Sequence, residues 1–279
     1  MGSAALTAPF AMQTRAAETS SGDIRLGVAT YSLREFARDN CIRMVKLLNV
    51  DYVDIKEFHL PQTDPPKALV AGRAAFDKAG LKVIGGGNIT INETDDAGVR
   101  THFEYAKTVG FPTMIIAPTH ENLPIIEKLV KEYNIRVAIH NHGPGDKNFP
   151  TPQTVLDAVK GMDSRVGFCI DIGHATLSGV DVVQAVAAAG PRLFETHFRD
   201  LNANKAEVPV GDGVIPIVAI FKQMMKQGYT GTCSLELESE PFDPLPAMQK
   251  SFAYMRGVIA GLKGAELKGA ELKGAELKG

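Results

Sequence analysis

The 279-residue chain contains no tryptophan and only three cysteines, Cys41, Cys169 and Cys233. The cysteines are odd in number and no C-x-x-C spacing occurs, so a disulfide framework is not indicated. Cys169 and Cys233 sit inside apolar runs, as buried free thiols do. No apolar run reaches the ~18 residues a membrane span needs, so no membrane partner is expected. Net charge is only −2, with both signs spread along the chain and no basic stripe, so no nucleic-acid partner is expected either.

The chain does have enough apolar residues, 44%, to bury a full core. Its length exceeds that of most single domains but is usual for an α/β barrel. Three regions are expected. Residues 1–22 are rich in Ala, Ser and Thr and read as a leader remnant without its basic start, or as a disordered extension. On the first reading the protein is periplasmic or exported; otherwise it is cytoplasmic. Residues 23–262 form the domain. Residues 263–279 are a tail in which GAELK repeats, and a five-residue step carries Leu262, Leu267, Leu272 and Leu277 around a helix without making a stripe.

Within 23–262, eight strand-like runs alternate with eight helix-like segments, the pattern of a (β/α)8 TIM barrel. Gly80, Gly110 and Gly190 close helices and are expected in the left-handed conformation. A doubly wound open sheet is the alternative, but TYSLREF after the first strand is not a phosphate-binding turn. In a barrel strand alternate residues face the helices and the others the axis. Val137 and Ile139 then point outward, and His140 and His142 inward. Phe168, Ile170 and Ile172 point outward and Asp171 inward. Phe194 and Phe198 face out, with Glu195, His197 and Arg199 in. Cys233, Leu235 and Leu237 face out, with Glu236 and Glu238 in. On the second strand Asp54 and Lys56 face in.

His140, Asp171, His197 and Glu236 therefore close four successive strands at the end where barrels of this kind carry their sites. Two imidazoles and two carboxylates suit Mn2+, Co2+, Fe2+, Zn2+ or Ni2+; the competing reading is a buried salt-bridge network. Glu238, one pleat beyond Glu236, is the alternative fourth ligand. Lys56, His59 and His142 are further acid–base or substrate candidates. For Lys56 a salt bridge to Asp54 or Glu57 weighs equally. The glycines of IGGGN (84–88) are expected to leave space for substrate or to make a tight bend. His120 is a candidate for the pocket rim.

The segments VAIHNHG, CIDIGH, THFRDL and SLELE, in this order and spacing, resemble the xylose isomerase-like TIM barrel superfamily, the sugar phosphate isomerases and epimerases, over about residues 24–262. The resemblance implies one divalent metal, most often Mn2+, with Co2+, Mg2+, Zn2+ or Fe2+ as alternatives. It implies His140, Asp171, His197 and Glu236 as ligands, His174 and Arg199 as substrate contacts, and a small-molecule sugar or keto-sugar as partner; His59 is a substrate-contact candidate from its own position. A homo-oligomer is left open. The sequence departs from the family pattern at His140, where the epimerases carry a glutamate that works with a second carboxylate. A metal-bound imidazole has no free lone pair with which to replace that base. The resemblance therefore leans toward lyase or hydratase chemistry on 3-keto-sugars through an enediolate, with Lys56, His142 and Glu236 as catalytic groups. Ketose isomerase or 3-epimerase chemistry is the alternative. An abasic-site endonuclease, which shares the barrel, would need more ligands and a basic face.

Overall fold

The computed structural model describes residues 24–276, and side chains as far as residue 265. The leader reading of residues 1–22 lies outside the described residues. Eight parallel strands close into a barrel. They are β1 (Arg25–Ala29), β2 (Tyr52–Ile55), β3 (Lys82–Thr90), β4 (Thr113–Ala117), β5 (Arg136–His140), β6 (Val166–Asp171), β7 (Leu193–Phe198) and β8 (Thr232–Leu235). β1 pairs with both β2 and β8, which closes the ring.

Helices α1 (Arg38–Leu47), α2 (Pro66–Lys78), α3 (Asp96–Val109), α4 (Leu123–Tyr133) and α5 (Pro152–Val159) follow the first five strands. α6 (Ile172–Leu177) and α7 (Val182–Ala189) follow β6, α8 (Ile217–Lys226) follows β7, and α9 (Leu245–Glu276) runs from beyond β8 into the GAELK repeat. A small antiparallel hairpin, Asp200–Leu201 with Glu207–Val208, lies between β7 and α8. Among the described residues no helix is long and apolar enough to cross a membrane.

The core lies between the strands and the helical ring. α4 shows why: Leu123, Ile126, Leu129 and Val130 are buried at helical spacing and make one apolar face. Val137, Ile139, Phe168, Ile170 and Phe198 meet the helices from the strand side, as the alternation requires. The three cysteines are buried free thiols. Gly80 and Gly110 have φ of +77°, the left-handed cap expected of them. Gly190 also has positive φ, but its ψ of −129° leaves the helical region and starts a 3-10 turn over Gly190–Arg192.

Phe194 departs from the simple alternation. It packs against Ile115, Ala138 and Cys169 inside the barrel instead of facing the helices. The β6–β7 register shifts between Phe168 and Cys169, so Leu193 pairs with Phe168 and Glu195 with Cys169. The extra residue turns inward, as at a bulge. Beyond it the expected phase is restored, and Asp171 pairs with His197.

Candidate metal centre

Strand register brings the four expected donors together. β5 and β6 are adjacent, Asp171 lies opposite His197, and His197 lies opposite Ser234, two residues before Glu236. Glu236 follows the last residue of β8 and is held there by its N–H, which donates to the Phe198 carbonyl at 3.0 Å. All four side chains are buried. One donor atom from each of His140, Asp171, His197 and Glu236 lies within 4.8 Å of the others.

Their contacts are closer still. His140 Nε2 is 3.1 Å from His197 Nδ1 and 3.6 Å from Asp171 Oδ2. His197 Nδ1 is 2.8 Å from Glu236 Oε2. Donors bound cis to one ion at about 2.0–2.2 Å stand roughly 3 Å apart, so this spacing fits a single divalent cation. The chemistry fits as well, since imidazole with carboxylate suits first-row divalent ions. Glu238, the alternative ligand, is outside the group and pairs with Arg199 instead, at 2.6 Å.

Asp171 does two things at once. Its Oδ1 accepts the His174 N–H at 2.7 Å and caps α6, while Oδ2 faces the cluster. The D-I-G-H spacing is thus a helix start as well as a candidate ligand motif. Asn141, the residue after β5, holds the same residue, donating to its carbonyl at 3.1 Å and accepting its N–H at 3.0 Å. Gly173 is required because a Cβ there would come within 2.8 Å of Arg199 Cδ.

The Arg199 guanidinium lies over the Asp171 and Glu236 carboxylates. Nε donates to Asp171 Oδ2 at 2.7 Å and Nη2 to Glu236 Oε2 at 3.0 Å, and Nη1 stands 3.8 Å from Glu207 Oε1. A carboxylate oxygen has more than one lone-pair direction, so a shared oxygen can still face the imidazoles. Burial alone would raise the Asp171 pKa, but Arg199 and His140 outweigh it and hold Asp171 well below the usual range. Glu236 behaves in the same way, with His197 and Arg199 overcoming burial. Burial lowers His140 to about 3, with His197 and His142 adding to the effect, so its ring is neutral at pH 7 as a ligand must be.

The remaining sequence candidates divide into two groups. His142 and His174 stand beside the cluster, their ring centroids 4.6 Å and 6.0 Å from that of His140. The Asn88 amide donates to His142 Nε2 at 2.7 Å, and His142 Nδ1 lies 3.4 Å from Asp146 Oδ2. Burial and then His174 lower the His142 pKa. Lys56 donates to the Asn88 carbonyl and pairs with Glu57 at 3.1 Å, so it joins the His142 side of the mouth through Asn88. His59 is not brought to the cluster: its Nε2 meets the carbonyls of Leu33 and Phe36 at 3.2 and 3.1 Å. His120 rests on Phe149 and the Asn148 carbonyl.

The IGGGN glycines serve packing. A Cβ at Gly86 would strike Phe111, and at Gly85 or Gly87 it would strike Ile115. Asp200 and the VGDG loop form a unit in which its carboxylate accepts the N–H groups of Gly211, Gly213 and Ile215. Asn88 and Glu207 escape sequence reasoning. Asn88 is the only polar side chain of a glycine-rich run, and Glu207 lies in a hairpin without periodic pattern.

A family model described as xylose isomerase-like TIM barrel matches residues 42–258. The inosose dehydratase of Lactiplantibacillus plantarum is 24% identical over 152 residues, covering 46% of this chain and 49% of that protein. The chain thus spans about half the length of the curated relatives it matches. Among solved structures, the IOLI protein with a binding zinc atom is 17% identical with a TM-score of 0.70, over 85% of this chain and 99% of that one. D-psicose 3-epimerase with D-tagatose from Clostridium cellulolyticum H10 is 16% identical with a TM-score of 0.68, again over 85% and 99%. At these identities the structural likeness establishes the fold.

Proposed function

The chain belongs to the xylose isomerase-like TIM barrel family, and from that premise we propose that it is a divalent-metal-dependent enzyme acting on a keto-sugar, by lyase or hydratase chemistry on a 3-keto-sugar. The observation that carries this reading is the convergence of His140, Asp171, His197 and Glu236 at the C-terminal end of the barrel. A divalent ion held there supplies Lewis acidity that polarises a keto oxygen and acidifies the neighbouring C–H. Mn2+ is the ion we favour, with Zn2+, Co2+, Mg2+ and Fe2+ as alternatives.

The chain's own residues favour elimination or hydration over two-base epimerisation. Glu236 is the only carboxylate left of the usual facing pair, and it is committed to Arg199 and His197. His142 is the better-placed acid–base group. It is neutral and partly open at the mouth, and the Asn88 and Asp146 contacts fix its ring. With Nδ1 protonated toward Asp146, Nε2 keeps the lone pair that can take a proton once substrate displaces the Asn88 amide. Lys56, across Asn88, supplies positive charge near a leaving or incoming oxygen. Arg199 keeps the ligand carboxylates ionised, and His174 borders the sugar site. The name inosose dehydratase carried by the relatives supports the lyase reading.

The test is metal analysis together with two assays on the purified protein: turnover of a 3-keto-glycoside, and C–H exchange of a ketohexose in D2O. One bound ion and metal-dependent loss or hydration of the 3-keto-glycoside are expected. Rapid stereochemical inversion of a ketohexose would replace this reading with the 3-epimerase one. A protein that binds no divalent ion would remove both.

A further inference from the structure

Beneath the four donors lies a carboxylate to which the proposed reaction assigns no task. Asp54, on β2, is fully buried, and neither of its carboxylate oxygens has a hydrogen-bond partner. An ionised carboxylate stripped of water and left unpaired is expensive to bury. The nearby basic and polar groups do not answer it. Lys56 is turned to Asn88 and Glu57. Glu195, which approaches it from β7, is a second acid whose Oε1 accepts the Ser234 hydroxyl at 2.6 Å.

One group near Asp54 is equally unmatched. His197 Nε2 is buried without a hydrogen-bond partner and lies 3.5 Å from Asp54 Oδ2. The other nitrogen of the same ring, Nδ1, is the atom that faces His140 and Glu236. An imidazole that binds a metal is neutral and carries one proton. On Nε2 it gives Asp54 its donor and leaves the Nδ1 lone pair aimed at the centre. On Nδ1 it would set a lone pair against Asp54 and remove a ligand atom from the cluster.

We propose that Asp54 is a positioning residue that holds His197 in the Nε2–H form and so presents Nδ1 to the metal. The inference rests on the metal-centre reading and adds the residue that orients one of its ligands. A carboxylate behind a ligating imidazole fixes both its tautomer and its ring orientation.

The experiment uses zinc binding and histidine NMR on the whole chain. In the zinc-loaded wild type, long-range 1H–15N spectra should show His197 bound through Nδ1, with a slowly exchanging Nε2 proton. Asp54→Asn keeps the shape but removes the charge, and it should weaken zinc binding about 10–100-fold with the fold intact by circular dichroism. The NMR arm uses wild type alone, so it decides the matter even if the variant does not fold. Coordination through Nε2, or an unchanged zinc affinity in a folded Asp54→Asn protein, overturns the inference while leaving the metal centre standing. Two zinc ions in the wild type, with one lost in the variant, also overturns it, because Asp54 would then be a ligand together with Glu195. A wild type that binds no zinc, manganese or cobalt removes the metal-centre reading, and this inference with it.

Discussion

Asp171 and Glu236 are 0% and 8% exposed, and Asp54 and Glu195, deeper in the same barrel, are 0% and 3%. Burial pushes the pKa of all four carboxyl groups upward. Asp171 and Glu236 nevertheless end well below the ordinary value, whereas Glu195 rises to about 8 and Asp54 is also raised. Depth does not separate the pairs; the guanidinium does. Arg199 reaches Asp171 and Glu236 and has no contact with the deeper two. The upper acids are therefore ionised and ready for a cation, and in the lower pair Glu195 is the acid that keeps a proton near neutral pH.

The largest effect comes from removing a carboxylate from the upper pair. Asp171→Ala or Glu236→Ala should abolish bound metal. Turnover should fall a thousandfold or more, because the Lewis-acid contribution is several kcal/mol and each tenfold is about 1.4 kcal/mol. Elemental analysis of the purified variants checks the first outcome and steady-state kinetics the second. Full metal occupancy in either variant would sink the ligand assignment.

Removing the guanidinium instead should make the upper pair resemble the lower one. Arg199→Met leaves two buried acids without their counter-charge, a loss of about 3–5 kcal/mol for a broken buried pair. Without metal, Tm should fall by roughly 6 °C or more at 2–4 °C per kcal/mol. Added Mn2+ or Zn2+ should recover part of the loss, since a divalent ion replaces the missing charge. A metal-free variant that melts with the wild type would mean that Arg199 does not balance these acids.

The upper pair was legible in the sequence and the lower pair was not, for a physical reason. Strand alternation is a period-2 signal, so inward residues at the ends of β5 to β8 can be counted from the apolar residues between them. That count turned His140, Asp171, His197 and Glu236 toward the axis, where the structure brings them within 4.8 Å of one another, and it gave the barrel itself. It also turned Asp54 and Glu195 inward, but direction does not reveal a partner. That Arg199 would bind four acids of its own chain, or that Lys56 would turn to Asn88, depends on side-chain reach across strands. The count failed at Phe194, where a register shift adds a residue that no periodicity records. The short helix α6 was hidden because its cap, Asp171, already read as a strand end.

Adding an acid to the upper pair is a finer perturbation. His140→Glu makes the centre one charge more negative and weakens the pull of a bound cation on a keto oxygen. Turnover of a 3-keto-glycoside should fall about tenfold, equivalent to about 1.4 kcal/mol. Deuterium incorporation from D2O into a ketohexose should appear, because the variant regains a second facing carboxylate. Faster turnover of the 3-keto-glycoside by the variant would reverse the argument drawn from His140.

The smallest effect belongs to the lower pair and is read from the pH dependence of stability. Glu195 is raised from 4.5 to about 8, by burial first and by Asp54 next. A raised folded pKa stabilises fully below the unfolded value, and that stabilisation is lost as pH rises toward the folded one. Between pH 6.5 and 8 the folded protein keeps this proton while the unfolded chain has released it. Stability should then decline by roughly 1.4 kcal/mol per pH unit for the one group. His140, lowered from 6.5 to about 3, acts in the opposite sense, with its contribution lost as pH falls below 6.5, so it stays outside this window. His197 and Asp54, both raised, act in the same direction as Glu195. The test is therefore a difference between two proteins. Glu195→Gln carries a neutral group at every pH and can still accept the Ser234 hydroxyl. In metal-free buffer its stability should fall less steeply from pH 6.5 to 8 than that of the wild type, by the equivalent of about one proton. Denaturant titrations at four or five pH values give both slopes. Parallel profiles would mean that the proton held in the lower layer is not on Glu195, and the contrast between the two pairs would then rest on Asp54 alone.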